Sequence, residues 1–220
     1  MKKVFITNFI FLAILIFNTV CFNITNIFAF KCLASTSFVI LAIINYVFAV
    51  KAKSSKMKIA TLMLIGIIFA MGGDVSINSS FELGAAVFAL GHLFYFFTYC
   101  KIRKLCLKDF IVSGIIFVGI TCFLFLTPIF DFGEMAIVVV VYCVIICGMT
   151  GKSLVNIFYD PIVSNKLFAL GSVMFFISDV MLVLNLFADT TRLTYILCHS
   201  IYFPAQWILA YGIFSLAKNK

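Results

Sequence analysis

Apolar residues run along this chain in long, nearly unbroken stretches, separated by short clusters of Lys, Arg, Ser, Asn and Asp. Residues 4–22 and 110–126 are typical of these runs. A helix needs about 20 apolar residues to cross the hydrocarbon core of a bilayer. Backbone polar groups in lipid must be paired internally, so a spanning segment is a helix or a strand of a closed barrel. Barrel strands are roughly ten residues long and alternate in polarity; these runs are longer and do not alternate. The pattern therefore predicts an all-α, polytopic transmembrane helical bundle. Eight spans are expected, at 4–22, 32–50, 59–77, 83–100, 109–127, 135–150, 166–187 and 193–217, with room for the sixth to extend into 151–154. The loops are short, and neither a linker nor an internal repeat is visible, so residues 1–220 read as one transmembrane domain. Met1, Lys2 and Lys3 resemble the basic start of a signal peptide. No A-x-A-like cleavage site follows, and the apolar run exceeds the usual roughly 7–15 residues, so a retained helix is expected.

Composition strengthens this reading. The chain is 65% hydrophobic and 11% charged, against roughly 45–50% apolar and about 25% charged residues in soluble domains. The net charge is +8, which in a soluble protein raises the question of nucleic acid. Here the basic residues sit in the loops, and alternate loops at that. All but Lys31 and Arg192 of the 16 Lys and Arg fall on one side of the predicted bundle. By the positive-inside rule that side, with both termini, is cytoplasmic. Topology accounts for the charge, and no nucleic-acid partner is expected. The eight cysteines lie in or at the edge of apolar runs and form no CxxC pair. Cys143 and Cys147 share a helical face, but small apolar filling is the ordinary role of such residues. No disulfide framework is expected.

Ionisable side chains at membrane depth are costly and mark functional sites. Asp74 lies in the outer third of the third span, with Asn78 one turn on and Gly66, Ala70 and Gly73 forming a small-residue side for close packing. Asp179 lies well inside the seventh span, eight residues from its predicted outer end, or about 12 Å at helical rise. His92 and Tyr95 share a face of the fourth span, and His199, Tyr202 and Gln206 share one in the eighth. Lys31 stands at the outer start of the second span and is suited to an anionic group; the alternative is a lysine that snorkels to the interface. Asp74, His92, Asp179, His199 and Tyr202 all fall in the outer half, which predicts one polar pocket opening outward.

No GxSxG, P-loop or HExxH motif is present. Two histidines are too few for a three-histidine zinc site, and neither metal nor cofactor is expected. Two carboxyls in a low-dielectric pocket can divide the roles of acid and base. That suits acid-catalysed cleavage of an electron-rich ether. The same carboxyls also suit a proton-coupled transporter or lipid-handling protein.

At these residues the chain resembles the YhhN-like membrane family, which includes the lysoplasmalogenases. The similarity lies in Gly73-Asp74, in the stretch 88–95 ending Gly91-His92-Leu93-Phe94-Tyr95, in 171–179 ending Ser178-Asp179, and in Tyr202-Phe203-Pro204-Ala205-Gln206. It runs from about Lys31 to Gly212. Two positions depart from the family pattern. The second span often opens with Lys-Pro in the family and has Lys31-Cys32 here, and a tyrosine pair is Tyr202-Phe203 here. The resemblance implies hydrolysis of the vinyl ether of a lysophospholipid, a lysoplasmalogen, by Asp74 and Asp179. It implies that His92, Tyr95, His199, Tyr202, Gln206 and Asn78 orient these groups or the substrate, and that Lys31 meets the phosphate. The expected setting is the lipid bilayer of a cell membrane. The headgroup and the oligomeric state are not legible in the sequence.

Overall fold

The computed structural model describes residues 2–188 and 190–218. Met1 of the basic start and Lys220 of the charge count lie outside the described residues. Among the described residues eight long helices follow one another: α1 (Lys2–Thr25), α2 (Phe28–Lys51), α3 (Met57–Ser76), α4 (Phe81–Ile102), α5 (Leu107–Leu126), α6 (Ala136–Tyr159), α7 (Val163–Phe187) and α8 (Arg192–Lys218). A single 3₁₀ turn (Gly133–Met135) leads into α6. The predicted spans all coincide with helices. Seven are long and apolar enough to cross a membrane, and the chain is a polytopic membrane bundle. The eighth, α8, is equally long but more polar, because it faces protein rather than lipid: 15 of its 27 residues are buried.

Six helices close a ring in the order α2, α3, α4, α6, α7, α8, and α8 packs back on α2. Helix α8 also reaches across to α3. The remaining two sit outside the ring: α1 lies on α2 and α8, and α5 lies on α6. Buried polar pairs fix the outer helix α1. Asn8 and Asn45 exchange amide hydrogen bonds of 2.9 and 2.8 Å, and Trp207 Nε1 donates to the Asn8 carbonyl. At the other end Arg192 donates to the Asn23 carbonyl, satisfying one of the orphan carbonyls of the α1 terminus.

Local chemistry places the helix ends. Ser80 caps α4 by accepting from the Leu83 amide. Asp109 accepts from the Cys106 amide and closes a capping box at α5. The α1–α2 turn is two residues long and holds Asn26 at φ 55°, a left-handed position that asparagine tolerates better than most residues.

The small-residue side expected on α3 is used against α4. A Cβ on Gly66 would stand 2.5 Å from the Tyr95 ring, and one on Gly73 would stand 2.6 Å from Phe88 Cγ. Close approach here holds Asp74, the next residue, against the centre of the ring. Gly73→Ala is expected to cost about 1–3 kcal/mol through overpacking, seen as a lower unfolding midpoint of the detergent-solubilised protein.

One span is longer than expected. The sixth run was predicted over 135–150, with an extension as far as 154, yet α6 continues to Tyr159. Lys152 is therefore not a loop charge but a fully buried helical residue (0% exposed). It donates to Asp109 Oδ2 at 3.0 Å, and Arg103 binds the other oxygen of the same carboxylate. This ion cluster joins the α4–α5 loop to α6 and supplies what the apolar pattern lacks there.

Candidate active site

Inside the ring, in the half remote from the lysine-rich side, α2, α3, α4, α7 and α8 surround a cavity with about 310 Å³ of space unfilled by protein. Lys31, Asp74, Asp179, His199 and Tyr202 all line it, together with Ser178 and Cys198. Five of the residues singled out in the sequence thus meet in one chamber. Phe88 also lines it, and the rings of Phe88 and Tyr202 meet each other and Phe175 behind them edge to face at 5.1–6.1 Å between centroids.

Asp74 is 3% exposed. Its Oδ2 accepts from Ser35 Oγ at 2.5 Å and from Tyr202 OH at 2.8 Å. Both donors come from other helices, so the carboxyl is held from two sides and keeps one rotamer. Lys31 is 6% exposed, lies one turn before Ser35, and lines the same chamber. Among the described residues its ammonium makes no hydrogen bond or ion pair within 4 Å. It is a buried cation directed into an otherwise small polar space.

Asp179 is held differently. Tyr142 OH of α6 donates to Asp179 Oδ2 at 2.6 Å, and His92 Nε2 lies 2.8 Å from that hydroxyl and 3.4 Å from the carboxyl. Because the Tyr142 proton goes to Asp179, the imidazole must donate from Nε2 to the Tyr142 oxygen. His92 Nδ1 is then an unpaired acceptor, buried and without a protein partner among the described residues. His92 is 0% exposed and sits edge-on to Phe175 at 4.5 Å. It supports the Asp179 network rather than lining the chamber.

His199 has the opposite polarity. Its Nδ1 lies 2.9 Å from the Tyr195 carbonyl. A carbonyl only accepts, so Nδ1 carries the hydrogen, and Nε2 is left as an acceptor on the chamber side. Tyr95 and Gln206 lie deeper: Tyr95 OH donates to Gln206 Oε1 at 2.9 Å, with both residues at 0% exposure. They form a buried pair between α4 and α8 outside the chamber lining. Asn78 turns back on its own helix, Nδ2 standing 3.5 Å from the Asp74 carbonyl, and does not line the chamber either.

Sequence reading missed two partners of the carboxyls, Ser35 and Tyr142. Ser35 was readable as the residue one turn after Lys31 on the same face. Tyr142 stands alone in the apolar run Val139-Val140-Val141-Tyr142, and nothing local distinguishes it from an interfacial aromatic.

Two apolar hollows adjoin the polar chamber. One has about 390 Å³ of unfilled space between α4, α6 and α7, with Phe81, Ala85 and Val139 in its walls. The other has about 280 Å³ between α5, α6 and α7, with Ile120, Leu124 and Ile146. Among the described residues, Asp179 alone borders all three spaces. The carboxyl therefore stands on the boundary between a charged chamber and apolar space, the arrangement an amphiphile with a reactive junction requires. Among the described residues no three His, Cys, Asp or Glu side chains converge as a metal site would need.

No curated protein and no solved structure matches this chain. A family model does, over residues 26–213, which takes in α2 to α7 and most of α8 and leaves α1 outside. The matched region contains the ring up to the last turn of α8 and both carboxyls with the partners described above, and the chain belongs to the YhhN family.

Proposed function

We propose that this protein is a membrane-embedded hydrolase of lysoplasmalogens, releasing a fatty aldehyde and a glycerophospho-alcohol. The observation that carries the reading is the position of Asp179 between the charged chamber and the apolar hollows. A lysoplasmalogen has its vinyl ether at the junction of tail and glycerol. With the tail in the apolar hollow and the phosphate toward Lys31, that bond lies between Asp179 and Asp74.

Placement divides the roles. Acid cleavage of a vinyl ether begins by protonation of the alkene carbon remote from oxygen, on the tail side. Asp179 borders the tail space and is the proton donor. The resulting oxocarbenium ion carries its charge at the carbon bonded to oxygen, on the glycerol side. Asp74, held by Ser35 and Tyr202, faces that carbon as a carboxylate, stabilises the cation and takes a proton from the water that adds to it. The hemiacetal then collapses: the carbon–oxygen bond to glycerol breaks, the hydroxyl proton is lost, and the leaving oxygen is protonated. Both carboxyls return to their starting states, with one water consumed.

The other residues bind or orient. Tyr142 and His92 hold Asp179 in one rotamer, and Tyr142→Phe is expected to lower kcat by roughly tenfold, the scale of one lost hydrogen bond, with little change in KM. Lys31 meets the phosphate as a point charge. Lys31→Gln is expected to raise KM for a lysoplasmalogen more than it lowers kcat, since the phosphate is remote from the bond broken. The lysine-rich side faces the cytoplasm of a cell membrane, which places the chamber in the outer half of the bilayer near the headgroups.

The deciding experiment is mass spectrometry of purified, detergent-solubilised protein incubated with a defined lysoplasmalogen and its saturated alkyl-ether analogue. Aldehyde from the vinyl ether alone is the expected result, because the alkyl ether has no alkene to protonate. Turnover of neither substrate by folded protein would overturn the hydrolase and leave the carboxyls to proton-coupled transport, read by substrate movement across sealed vesicles.

A further inference from the structure

A second space, which shares no lining residue with the carboxyl chamber, lies on the lipid side of the bundle. Helices α4 and α5 do not pack on one another; each packs on α6. The gap between them is a groove with about 730 Å³ of unfilled space, floored by Val144, Ile145 and Gly148 of α6. Leu93 and Phe96 form one wall; Leu105 and Phe110 belong to the other, with Asp109 and Ser113 the two polar residues in an otherwise apolar lining. From Leu93 to the end of α4 at Ile102 is nine residues, or about 13 Å of depth at helical rise. Gly148 marks the floor: a Cβ there would meet nothing within 4 Å. In a bilayer such a hollow is filled by a hydrocarbon chain, because neither vacuum nor water is tolerated against apolar walls.

The groove extends to the lysine-rich end of the bundle, where Leu105 and Asp109 line it. Lys101, Lys104 and Lys108 are exposed there. Beneath them Arg103 and Lys152 share the single carboxylate of Asp109. The Asp109 carboxylate is saturated by Arg103, Lys152 and the Cys106 amide, and among the described residues Lys101, Lys104 and Lys108 form no ion pair with an acidic side chain. The Tyr159 ring lies under the Arg103 guanidinium at 4.4 Å and 5.3 Å from Lys108 Nζ, which gathers the cations at that end. Basic clusters at the end of a membrane helix attract anionic headgroups.

We propose that this groove binds an anionic phospholipid of the lysine-side leaflet, with one acyl chain between α4 and α5 and the headgroup phosphate among Lys101, Lys104 and Lys108. It is a binding site separate from the carboxyl chamber and does not depend on the hydrolase reading. The bound lipid completes the seam that the protein leaves open and ties α5 to α4.

The test uses the full-length protein in detergent with phosphatidylglycerol or phosphatidylcholine of identical chains, read by native mass spectrometry and by unfolding midpoint. Preferential retention of phosphatidylglycerol is expected, with a rise in midpoint of about 5 °C. Gly148→Phe, which fills the floor, is expected to lose retention of both lipids; Val144→Trp serves the same purpose if the first variant does not fold. Lys104→Glu with Lys108→Glu is expected to keep a lipid but lose the preference. Equal retention of the two lipids by the unaltered protein would overturn the headgroup assignment. Wild-type retention of phosphatidylglycerol with the groove filled would overturn the site itself, since surface charge alone would then account for binding.

Discussion

Asp179→Asn protein is expected to release aldehyde from a lysoplasmalogen roughly 10²–10⁴ times more slowly than the unaltered chain, the usual contribution of a positioned acid or base. Asparagine keeps the size of the side chain and an oxygen that can accept from Tyr142, whose hydroxyl now lies 2.6 Å from the carboxyl. What it lacks is a proton to give to carbon. The loss should therefore appear in kcat, with KM and the unfolding midpoint close to wild type. Asp74→Asn should show a loss of the same order for a different reason: the amide can still accept from Ser35 and Tyr202 but carries no charge for the cation and takes no proton from water. The two losses should not multiply in the double variant, because residues acting in one sequence of steps are not additive. Full aldehyde release by both single variants would end the paired-carboxyl mechanism while leaving the fold untouched.

The carboxyls were readable because a membrane punishes charge. In α3 and α7 the described acidic residues are Asp74 and Asp179 alone, so each stood out against its apolar surroundings without any motif. Depth along a helix is also readable, since 1.5 Å per residue converts sequence position to height. Depth grouped Asp74, His92, Asp179, His199 and Tyr202; four of these line the chamber, and Lys31, read separately as the outer start of α2, lines it with them. Lateral placement is not readable in this way. His92 shares that height yet lies behind Asp179, and Tyr95 with Gln206 forms a deeper pair, because helix rotation is set by packing with neighbours that sequence periodicity does not name. Tyr142 escaped for the same reason: the first half of α6 looks apolar throughout, and only its place between α4 and α7 turns one hydroxyl toward Asp179. The α6 end was misjudged because Lys152 normally signals a loop, whereas here Asp109, 43 residues away, supplies its counter-charge.

That remote pair leads to the largest expected effect on stability. Lys152 is 0% exposed and Asp109 2% exposed. Removing one partner of a buried ion pair costs about 3–5 kcal/mol, because the other charge is stranded out of water. Asp109→Asn retains an oxygen for the Cys106 amide and so preserves the cap on α5, but it leaves Lys152 and Arg103 without their carboxylate. Its unfolding midpoint in detergent is expected to fall by roughly 10 °C. Adding Lys152→Met should recover part of that loss, since an apolar side chain of similar length has no charge to strand and replacing a buried pair by apolar groups is often neutral. Arg103 tolerates the change better than Lys152, being 21% exposed along its side chain and bonded to Asn156 and stacked on Tyr159. Recovery in the double variant would identify stranded charge as the cause. A double variant no more stable than Asp109→Asn would mean that the carboxylate acts through the geometry of the α5 cap instead, and that α5 is held to the bundle by its first turn rather than by Lys152.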